Sequence, residues 1–589
     1  MTTVTSPPRA REQPRRAGAR GWVDEARARP LAVSVAVLGL LMLAAAVNLY
    51  RKGLGLTFNY DEWNWVMNRR GWSTAKLLNP HNEHLSLIPV LIFKLLFATV
   101  GIDTYWPYRV VVIVAHLTCV ALIFVLARRR VGDVFALALV ALILFVGSAW
   151  EDLLWPFQVG YLGSVAFGLG MFVALDRRDR TGDILACVLL ALSIASASVG
   201  LPFAGAALVE VVLRRREPWN SSGRWRDAWI VGIPIGLYLI WFAIYGNPNA
   251  TPGNVHGFAL VRENGPAVPS YAADMASNAF AGLFGLAIDW GRPLVVGALA
   301  IGIWWSLRRG QTTRLFALIA ALALFWGLTA LFRAQLGDAG SSRYIYPGAV
   351  LIVLLAAELF RGARATVRAA VVAALVVLFA AVANYGPLKA GSAHLQDWSS
   401  YVRPELGALQ IAGPTAPPTL APDPLRAPDI TAAKYFPAER QLGSPADTPA
   451  EMRVRGEPQR EAADGVLIAG LQAGLRPTRA EASSRGAAPP LESSGGAATT
   501  PSGGCVSLRA TAPGAFAVIT VPRAGLIVAN TGAGNAEVRI RSFGDNFPAA
   551  PLGSVAPGQA ALLAIPPRAG IVWHAQVTVP GTARVCARR

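Results

Sequence analysis

Long apolar runs separated by short loops constrain this chain more than any other feature of its sequence. A run of about 20 apolar residues can cross the hydrocarbon layer of a bilayer as a helix. Of the 589 residues, 53% are hydrophobic and 15% are charged, which is too apolar for a soluble protein of this length. We therefore predict an α-helical polytopic membrane protein. The eleven predicted crossings are 31–49, 105–127, 133–150, 158–175, 183–198, 199–213, 228–245, 293–307, 314–332, 345–360 and 369–385.

The arginine clusters set the predicted orientation. If the basic tail at residues 1–30 is cytoplasmic, every cluster between the apolar runs also falls on the cytoplasmic side, as the positive-inside rule requires. The net charge of +19 is thereby attributed to membrane lipid rather than to nucleic acid. This arrangement predicts a multi-pass protein of a bacterial inner membrane, with an extracytoplasmic C-terminus. The later clusters are Arg128–Arg130, Arg177–Arg178, Arg214–Arg216 with Arg224, Arg308–Arg309 with Arg314, and Arg361, Arg364 and Arg368.

Two further apolar stretches, 85–100 and 275–288, do not fit this alternation as single crossings. The first contains Lys94 and follows a segment rich in tryptophan. Such sequences suit helices that lie at the headgroup level. We predict interfacial helices for both stretches, with a tight hairpin as the competing interpretation of each.

The composition changes after Tyr385. Residues 386–504 are crowded with Pro, Ala and Gly, which predicts an extracytoplasmic linker that is loosely ordered or forms a few short helices. From residue 505 to 589, alternating β-branched segments between Gly and Pro turns predict a small β-sandwich of about 85 residues. Cys505 and Cys586 bracket this domain, and we predict that they form a disulfide in an oxidising compartment.

Paired carboxylates occur in two of the predicted outer loops. Asp61 and Glu62 lie in the loop at 50–104, and Glu151 and Asp152 begin the next outer loop. Acids close to lipid are costly and are retained for a function more often than on a soluble surface. One carboxylate can take a proton from a hydroxyl nucleophile, while another orients the acceptor or helps to hold Mg²⁺ or Mn²⁺, for which Asp61, Glu151 and Asp152 are the candidate ligands. Solvated loops and helix ends are the alternative interpretation.

Two other polar segments accompany the acids. His81, Glu83 and His84 lie in the same loop as Asp61, where the histidines either bind a metal with Glu83, contact a phosphate, or are ordinary polar residues. Arg343 and Tyr344 precede a late helix. A planar guanidinium suits bidentate contact with phosphate, and the tyrosine can hydrogen-bond an oxygen or pack at the interface.

With these residues the chain resembles the GT-C superfamily of polyprenyl-phosphate-sugar-dependent glycosyltransferases, over roughly residues 31–385. Protein O-mannosyltransferases, lipid A aminoarabinose transferases and mycobacterial arabinosyltransferases belong to this group. The resemblance is carried by three features. They are Asp61-Glu62 after the first helix, the outer acids Glu151-Asp152, and Ser342-Arg343-Tyr344 before a late helix.

The resemblance implies a site and a reaction. Asp61 would be the general base that deprotonates an acceptor hydroxyl, which attacks the anomeric carbon of a polyprenyl-phosphate-linked sugar with inversion. Glu62 and Glu83 would orient the acceptor or the base, and Arg343 would offset the charge of the departing polyprenyl phosphate. The acceptor would be a glycan, lipid or protein of the cell envelope. A multi-pass transporter or flippase is the alternative, favoured by the helix break at 200–202 and disfavoured by otherwise clean apolar spans.

Overall fold

A computed structural model describes residues 30–213, 227–246, 257–363, 365–479 and 487–588. The predicted cytoplasmic tail at 1–29 and the arginines of 214–216, 224 and 364 lie outside the described residues. The helices that the structure describes are α1 (Pro30–Lys52), α2 (Asp61–Asn68), α3 (Thr74–Leu78), α4 (Leu87–Thr99), α5 (Trp106–Leu144), α6 (Trp150–Leu154), α7 (Val159–Leu175), α8 (Arg180–Ser196), α9 (Gly200–Leu213), α10 (Trp229–Trp241), α11 (Gly257–Asn264), α12 (Val268–Leu283), α13 (Gly291–Arg309), α14 (Thr313–Arg333), α15 (Ile345–Leu359), α16 (Val367–Ala412), α17 (Ala432–Leu442), α18 (Pro449–Arg453) and α19 (Glu457–Gly470).

A helix lies at each of the eleven predicted apolar runs. Within the described residues, eight helices are long and apolar enough to cross a membrane, and one of these joins two predicted runs. The junction is Gly132 in α5, whose φ of 75° and ψ of 172° break the helix without a gap in the chain. Glycine adopts this conformation at no steric cost. The predicted fold class, a bundle of apolar helices followed by a C-terminal sheet domain, is confirmed.

The bundle is closely packed around α5, α7, α9, α14 and α15. Gly168 on α7 faces Phe203 on α9 so closely that a Cβ at Gly168 would collide with the phenyl ring. At one end of the bundle, Arg130 lies 2.9 Å from Asp176 and 3.1 Å from Glu358. Arginines from several predicted cytoplasmic clusters thus meet acids at a single end of the bundle. Further pairs there are Arg314 with Asp176 at 3.0 Å and with Glu210 at 2.7 Å, and Arg129 with Asp176 at 3.2 Å.

The stretch 85–100 forms a single helix, α4, so the hairpin interpretation is wrong there, whereas in the stretch 275–288 α12 ends at Leu283 and a turn at 284–285 leads toward α13. Lys94, near the middle of α4, is buried. Its ammonium donates to the carbonyl oxygens of Arg69, at 2.6 Å, and Gly71. The flexible side chain thereby reaches polar partners in the preceding loop, which satisfies a charge on an otherwise apolar helix.

The predicted division of the tail at 504 and 505 needs correction. α16 continues past Tyr385 as far as Ala412, three further helices follow it, and the first strand begins at Gly474. Strands 491–495 and 497–502 are mostly exposed and consist of small and polar residues. Edge strands of this kind lack the alternating apolar pattern by which strands are recognised in a sequence.

Two antiparallel sheets form the C-terminal domain, as the β-sandwich prediction requires. Their strand orders are β1-β9-β6-β11-β4-β3 and β2-β5-β10-β7-β8. Cys505 and Cys586 are paired directly across β4 and β11, and the predicted disulfide joins them. The strands are β1 (Gly474–Pro477), β2 (Leu491–Gly495), β3 (Ala497–Ser502), β4 (Cys505–Ala510), β5 (Phe516–Thr520), β6 (Leu526–Asn530), β7 (Ala536–Arg541), β8 (Gly553–Val555), β9 (Ala560–Ala564), β10 (His574–Thr578) and β11 (Thr582–Ala587).

Hydrogen bonds attach this domain to the helices. The carboxylate of Asp464 on α19 accepts backbone N–H bonds from residues 542–544 at 2.9–3.1 Å. Arg568 donates to the carbonyl oxygens of Ile411, at 2.8 Å, and Ala412, at 2.7 Å, at the end of α16. Terminal helix carbonyls lack partners inside the helix, so this arginine caps α16. The sheets are therefore fixed to the long helix that leaves the bundle.

Candidate active site

A two-residue turn at His81–His84 organises the candidate site. The backbones of His81 and His84 exchange N–H···O bonds of 3.1 and 2.9 Å. Asn82 and Glu83 between them have φ values of 48° and 69°. A tight hairpin turn requires this left-handed backbone at both central positions, and asparagine adopts it more readily than glutamate does. A strained glutamate persists where surrounding contacts enforce it, which occurs preferentially at functional sites.

Asp61 contacts this turn from the first position of α2. One of its carboxylate oxygens lies 3.2 Å from Nε2 of His81, and the Asn82 side-chain amide donates to the same oxygen at 3.3 Å. The side chain is 18% exposed. The helix N-terminus adds a favourable field for negative charge. The structure therefore brings Asp61, His81 and Asn82 together and leaves the carboxylate accessible from outside.

Glu62 faces the protein interior. Its carboxyl group is fully buried and accepts hydrogen bonds from the Tyr105 hydroxyl at 2.7 Å and from the Asn59 backbone N–H at 2.8 Å. Burial raises the pKa of Glu62 from its ordinary value of 4.5 to about 8, against the lowering effect of these hydrogen bonds. A carboxyl group with this pKa is mostly neutral at pH 7. Glu62 thus supports the loop from within.

A cavity of about 560 Å³ opens beside the turn. Glu83, His84, Tyr161, Arg333 and Tyr344 belong to its polar wall. Most of the remaining wall is apolar and comes from α9, α10, α11 and α14. The apolar residues include Leu201, Pro202, Leu239, Phe242, Leu260, Val261, Phe325, Leu328, Leu331 and Phe332. The cavity is therefore amphipathic, with polar groups next to the turn and a hydrocarbon-like body.

Arg333 is the cationic group at the polar end, and sequence reasoning missed it. Its guanidinium donates to the carbonyl oxygen of Asn82 at 2.8 Å and lies 3.4 Å from Nε2 of His84. Asp61 and Arg333 thus bind the same residue of the turn, one through its side chain and the other through its backbone. A signal was available, because Arg333 ends a predicted inside-to-outside crossing and is an exception to the positive-inside pattern.

His84 is held as a neutral imidazole. Burial, aided by the charge of Arg333, lowers the pKa of His84 to about 3. Its Nδ1 lies 2.7 Å from the Ser198 hydroxyl. Because a guanidinium only donates, Nε2 of His84 accepts from Arg333, and Nδ1 carries the proton that it donates to Ser198. His84 therefore positions Arg333 and supplies no positive charge of its own.

The structure brings Arg343 and Glu151 together as an ion pair. The guanidinium of Arg343 lies 3.7 Å from the Glu151 carboxylate. Glu151 also accepts from the Arg343 backbone N–H at 2.9 Å and the Ser341 hydroxyl at 3.2 Å. Tyr344, the next residue, lines the cavity. Glu151 thus fixes the loop that presents Tyr344, and Arg343 is partly neutralised.

The remaining predicted acid, Asp152, is fully buried. Neither of its carboxylate oxygens has a hydrogen-bond partner among the residues that the structure describes. In the same described part of the chain, no group of three or more His, Cys, Asp or Glu side chains is arranged to hold a metal ion. Among the described residues, the candidate ligands Asp61, Glu151 and Asp152, like His81 and His84, are therefore not gathered into such a group.

The C-terminal tail holds α2 in place, a contribution that the sequence did not reveal. Asp429 accepts hydrogen bonds from the side-chain amides of Asn64, at 3.0 Å, and Asn68, at 2.7 Å. The backbone N–H of Tyr60 donates to the carbonyl oxygen of Arg426 at 3.2 Å. Residues more than 360 positions apart in the chain thus determine where Asp61 lies.

Comparisons with solved structures give several distant similarities, and two of them are described here. The chain is similar to ArnT from Cupriavidus metallidurans, solved with undecaprenyl phosphate, at 16% identity over 69% of this chain and 82% of that one, with a TM-score of 0.40. It is also similar to the arabinofuranosyltransferase AftD from mycobacteria, at 12% identity over 93% of this chain and 58% of that one, with a TM-score of 0.36. No protein-family model and no curated protein sequence matches the chain.

Proposed function

We propose that this protein is a membrane glycosyltransferase that moves a sugar from a polyprenyl-phosphate-linked donor to a cell-envelope acceptor. The amphipathic cavity carries this proposal, because it joins a guanidinium to an apolar body of about 560 Å³. A lipid phosphate has two parts that match these, an anionic phosphate and an apolar chain. A binding site of this kind is typically apolar with a few placed polar groups. Asp61, which contacts the turn that also binds Arg333, then supplies the base.

Arg333 takes the charge-offsetting role that the sequence assigned to Arg343. A guanidinium offers five N–H donors in a planar fork that matches phosphate. Arg333 lines the cavity, and neutral His84 and the Asn82 carbonyl fix its position. Arg343, already paired with Glu151, maintains the loop before Tyr344.

The proposed step is a single displacement at the anomeric carbon. Asp61 takes the proton of an acceptor hydroxyl while the hydroxyl oxygen forms a bond to that carbon. The bond between the anomeric carbon and the phosphate oxygen breaks on the opposite face, so the configuration inverts. The bonding electrons leave with the polyprenyl phosphate, whose added negative charge Arg333 offsets. The proton resides on Asp61 until it is released to water.

The site is assigned to the extracytoplasmic face. Arg130 and Arg314, which belong to predicted cytoplasmic clusters, lie together at one end of the bundle. The hinge of α5 at Gly132 and the start of α14 lie there, and α14 ends at Arg333, which contacts the turn at residues 81–84. The positive-inside rule then puts the turn, α2 and the sheet domain outside the inner membrane.

A transporter or flippase remains the second candidate, and one observation favours it. The break between α8 and α9 lines the cavity through Ser198, Val199, Leu201 and Pro202. Broken helices beside a polar site are typical of secondary transporters. A transporter would carry its lipid-linked substrate across without cleaving it, so the fate of the phosphate–sugar bond separates the two functions.

Transfer by the purified full-length protein tests the proposal. Radiolabelled polyprenyl-phosphate sugars and an envelope extract are offered in detergent to the wild type and to Asp61→Asn, which keeps the shape of the side chain. Loss of a general base lowers the rate by roughly 10²- to 10⁴-fold. We expect label to reach the acceptor with wild type and to fall by that factor in the variant. Intact donor throughout, or equal transfer by both proteins, contradicts the proposal.

A further inference from the structure

Four aromatic rings contact one another in series, two of them on the part of α16 that follows Tyr385 and the last belonging to Tyr60, the residue before Asp61. The Trp150 and His394 rings have centroids 5.7 Å apart, His394 and Trp398 are separated by 5.3 Å, and Trp398 and Tyr60 by 6.3 Å. His394 and Trp398 are one turn apart on α16, so they share a face of the helix. Gly391, one turn earlier, leaves room for Trp150, since a Cβ there would collide with the indole. These four residues are called the ring row.

The ring row is open to its surroundings. Tyr60 is 43% exposed, His394 is exposed, and both tryptophans are partly exposed. Apolar rings clustered on a surface in this way mark a binding site more often than scattered single side chains do. The rings are therefore accessible to a ligand, and the neighbouring polar groups indicate the chemistry of that ligand.

The part of the ring row around Trp398 lies beyond the hydrocarbon layer in the proposed topology. The ammonium of Lys52, at the end of the first apolar helix, sits 4.6 Å from the centre of the Tyr385 ring. Trp398 follows Tyr385 by thirteen positions on the continuous helix α16, or about 20 Å at the rise of an α-helix. Water rather than lipid tails therefore surrounds Trp398, whereas Trp150 is the last residue of the predicted crossing at 133–150.

Polar groups border the rings. Asp397 is exposed on the same helix, one turn from His394 and one turn from Tyr401. Arg426 lies 3.9 Å from the centre of the Tyr401 ring and accepts, through its carbonyl oxygen, the backbone N–H of Tyr60. Rings flanked by a carboxylate and a guanidinium suit a ligand with apolar faces and a hydroxylated edge. Sugar rings have this character, because their C–H faces stack on aromatic rings and their hydroxyls reach polar neighbours.

Tyr60 links the ring row to the proposed base. Its φ of 41° is unfavourable for a tyrosine, and the hydrogen bond from its N–H to Arg426 holds it there. Asp61 follows it directly. Tyr60 is thus the member of the ring row that is nearest to Asp61 in the chain, with its ring toward Trp398, while the Asp61 carboxylate contacts the turn.

We infer that the ring row binds the acceptor and that the acceptor is an oligosaccharide chain of the cell envelope. Successive sugars stack along Trp150, His394, Trp398 and Tyr60, and the terminal hydroxyl meets Asp61. This inference rests on the proposed glycosyl transfer, since it names the acceptor class for that reaction. The other classes that the sequence left open, lipid and protein, lack the repeated ring-shaped units that match a row of rings.

Binding of oligosaccharides to the full-length protein in detergent tests this inference without any transfer step. The probes are linear hexasaccharides of mannose, arabinose and glucose, measured by calorimetry. The variants are Trp398→Ala and His394→Ala, the second at an exposed position where loss of folding is not a concern. Trp290→Ala removes a 63% exposed tryptophan elsewhere and is the matched control. Each lost ring should weaken binding by roughly two- to tenfold, as aromatic contacts do.

Saturable binding of one hexasaccharide by wild type and Trp290→Ala, with the expected loss in both ring-row variants, supports the inference. Binding that the variants leave unchanged, or no binding by any probe, overturns it. Preference of the ring row for phospholipid vesicles over sugars also overturns it. Undecaprenyl phosphate binding, measured in parallel, should be equal in all four proteins, because the ring row lies apart from the cavity. If sugars bind as expected but no sugar is transferred, the proposed function fails and the binding site stands.

Discussion

Asp61 and Glu62 are neighbours in the sequence, but their carboxyl groups lie in opposite environments. The Asp61 side chain is 18% exposed, whereas Glu62 is enclosed by Tyr105 and Asn59. A neutral, enclosed carboxyl group cannot take a proton from a bound hydroxyl. We therefore expect Glu62→Gln to keep most of the transfer rate that Asp61→Asn loses, because the amide can still hydrogen-bond Tyr105. Initial rates with one donor and one acceptor measure this difference, and equal losses would contradict the assignment.

The buried Glu62 also predicts how stability depends on pH. Its pKa is about 8 in the folded protein against an ordinary 4.5, so the folded state holds the proton more tightly. The resulting stabilisation is complete below pH 4.5 and is lost as the pH rises through 8. The pKa of His84 is lowered instead of raised, so the stabilisation that its neutral imidazole contributes is lost as the pH falls below 6.5. Above neutral pH, comparison with a Glu62 variant separates Glu62 from Glu405, whose pKa burial raises to about 9.

We expect the apparent unfolding temperature of the wild type to fall between about pH 7 and about pH 9, as the raised pKa of Glu62 requires. Glu62→Gln has no proton to lose, so its unfolding temperature should change less over the same range. Differential scanning fluorimetry in detergent measures both curves. Parallel curves for the two proteins would show that another group causes the pH dependence.

Arg333 and Arg343 are both near the cavity, but they differ in their partners. Arg333 contacts neutral His84 and a backbone carbonyl, while Arg343 contacts the Glu151 carboxylate. A hydrogen bond to a charged group contributes about 1.5–3 kcal/mol, so Arg333→Ala should weaken polyprenyl phosphate binding by roughly 10- to 100-fold. Arg343→Ala should weaken it less. Calorimetric titration measures both affinities, and a larger effect at Arg343 would return the phosphate role to that residue.

At the scale of elements, the short helix α2 depends on the tail. Asp429 accepts from Asn64 and Asn68, and together these contacts fix the helix whose first residue is Asp61. Asp429→Ala leaves both amides without this acceptor, a loss of about 1–3 kcal/mol locally. We expect faster hydrogen exchange in residues 61–68 and slower transfer with little change in donor affinity. Glu461→Ala, at an exposed position on α19, is the control and should leave both readouts unchanged.

The apolar helices could be predicted from the sequence because a bilayer requires spans of nearly constant length and apolar composition. The hinge at Gly132 was also visible as a gap between two runs. Strands β2 and β3 were not predictable, since edge strands made of small and polar residues share their composition with linkers. The turn at residues 81–84 depends on two left-handed residues that a histidine-flanked Asn-Glu pair does not signal.

The candidate site was predictable in part, and for a physical reason. Asp61, His81 and His84 were found because polar residues at the end of an apolar run stand out. Arg333 was missed as a single arginine among many, and Asp429 because only long-range packing brings it to α2. The roles proposed for Arg343 and Glu151 differ from those predicted from the sequence, because the guanidinium and the carboxylate form an ion pair with each other. Contacts of this kind cannot be read from sequence spacing.

At the scale of the whole molecule, the one-sided distribution of arginines leads to a prediction about orientation. α16 extends beyond the bundle, and three helices and two sheets follow it in the chain. The side of the membrane that is assigned to the outer end of α16 therefore applies to the entire C-terminal region. Val454 on this region is 84% exposed. Arg178 is exposed at the end of the bundle where Arg130 and Arg314 meet their acids. These two positions lie on opposite sides of the membrane in the proposed topology.

Single cysteines at these positions test the topology in intact cells with a membrane-impermeant maleimide. The wild type provides a low background, since Cys119 and Cys187 are buried and Cys505 is bonded to Cys586. We expect Val454→Cys to be labelled directly and Arg178→Cys to be labelled only after the membrane is permeabilised. The reverse pattern would place the turn, Asp61 and the ring row in the cytoplasm. An extracytoplasmic envelope glycan could then not be the acceptor, because the proposed base would lie on the wrong side of the membrane.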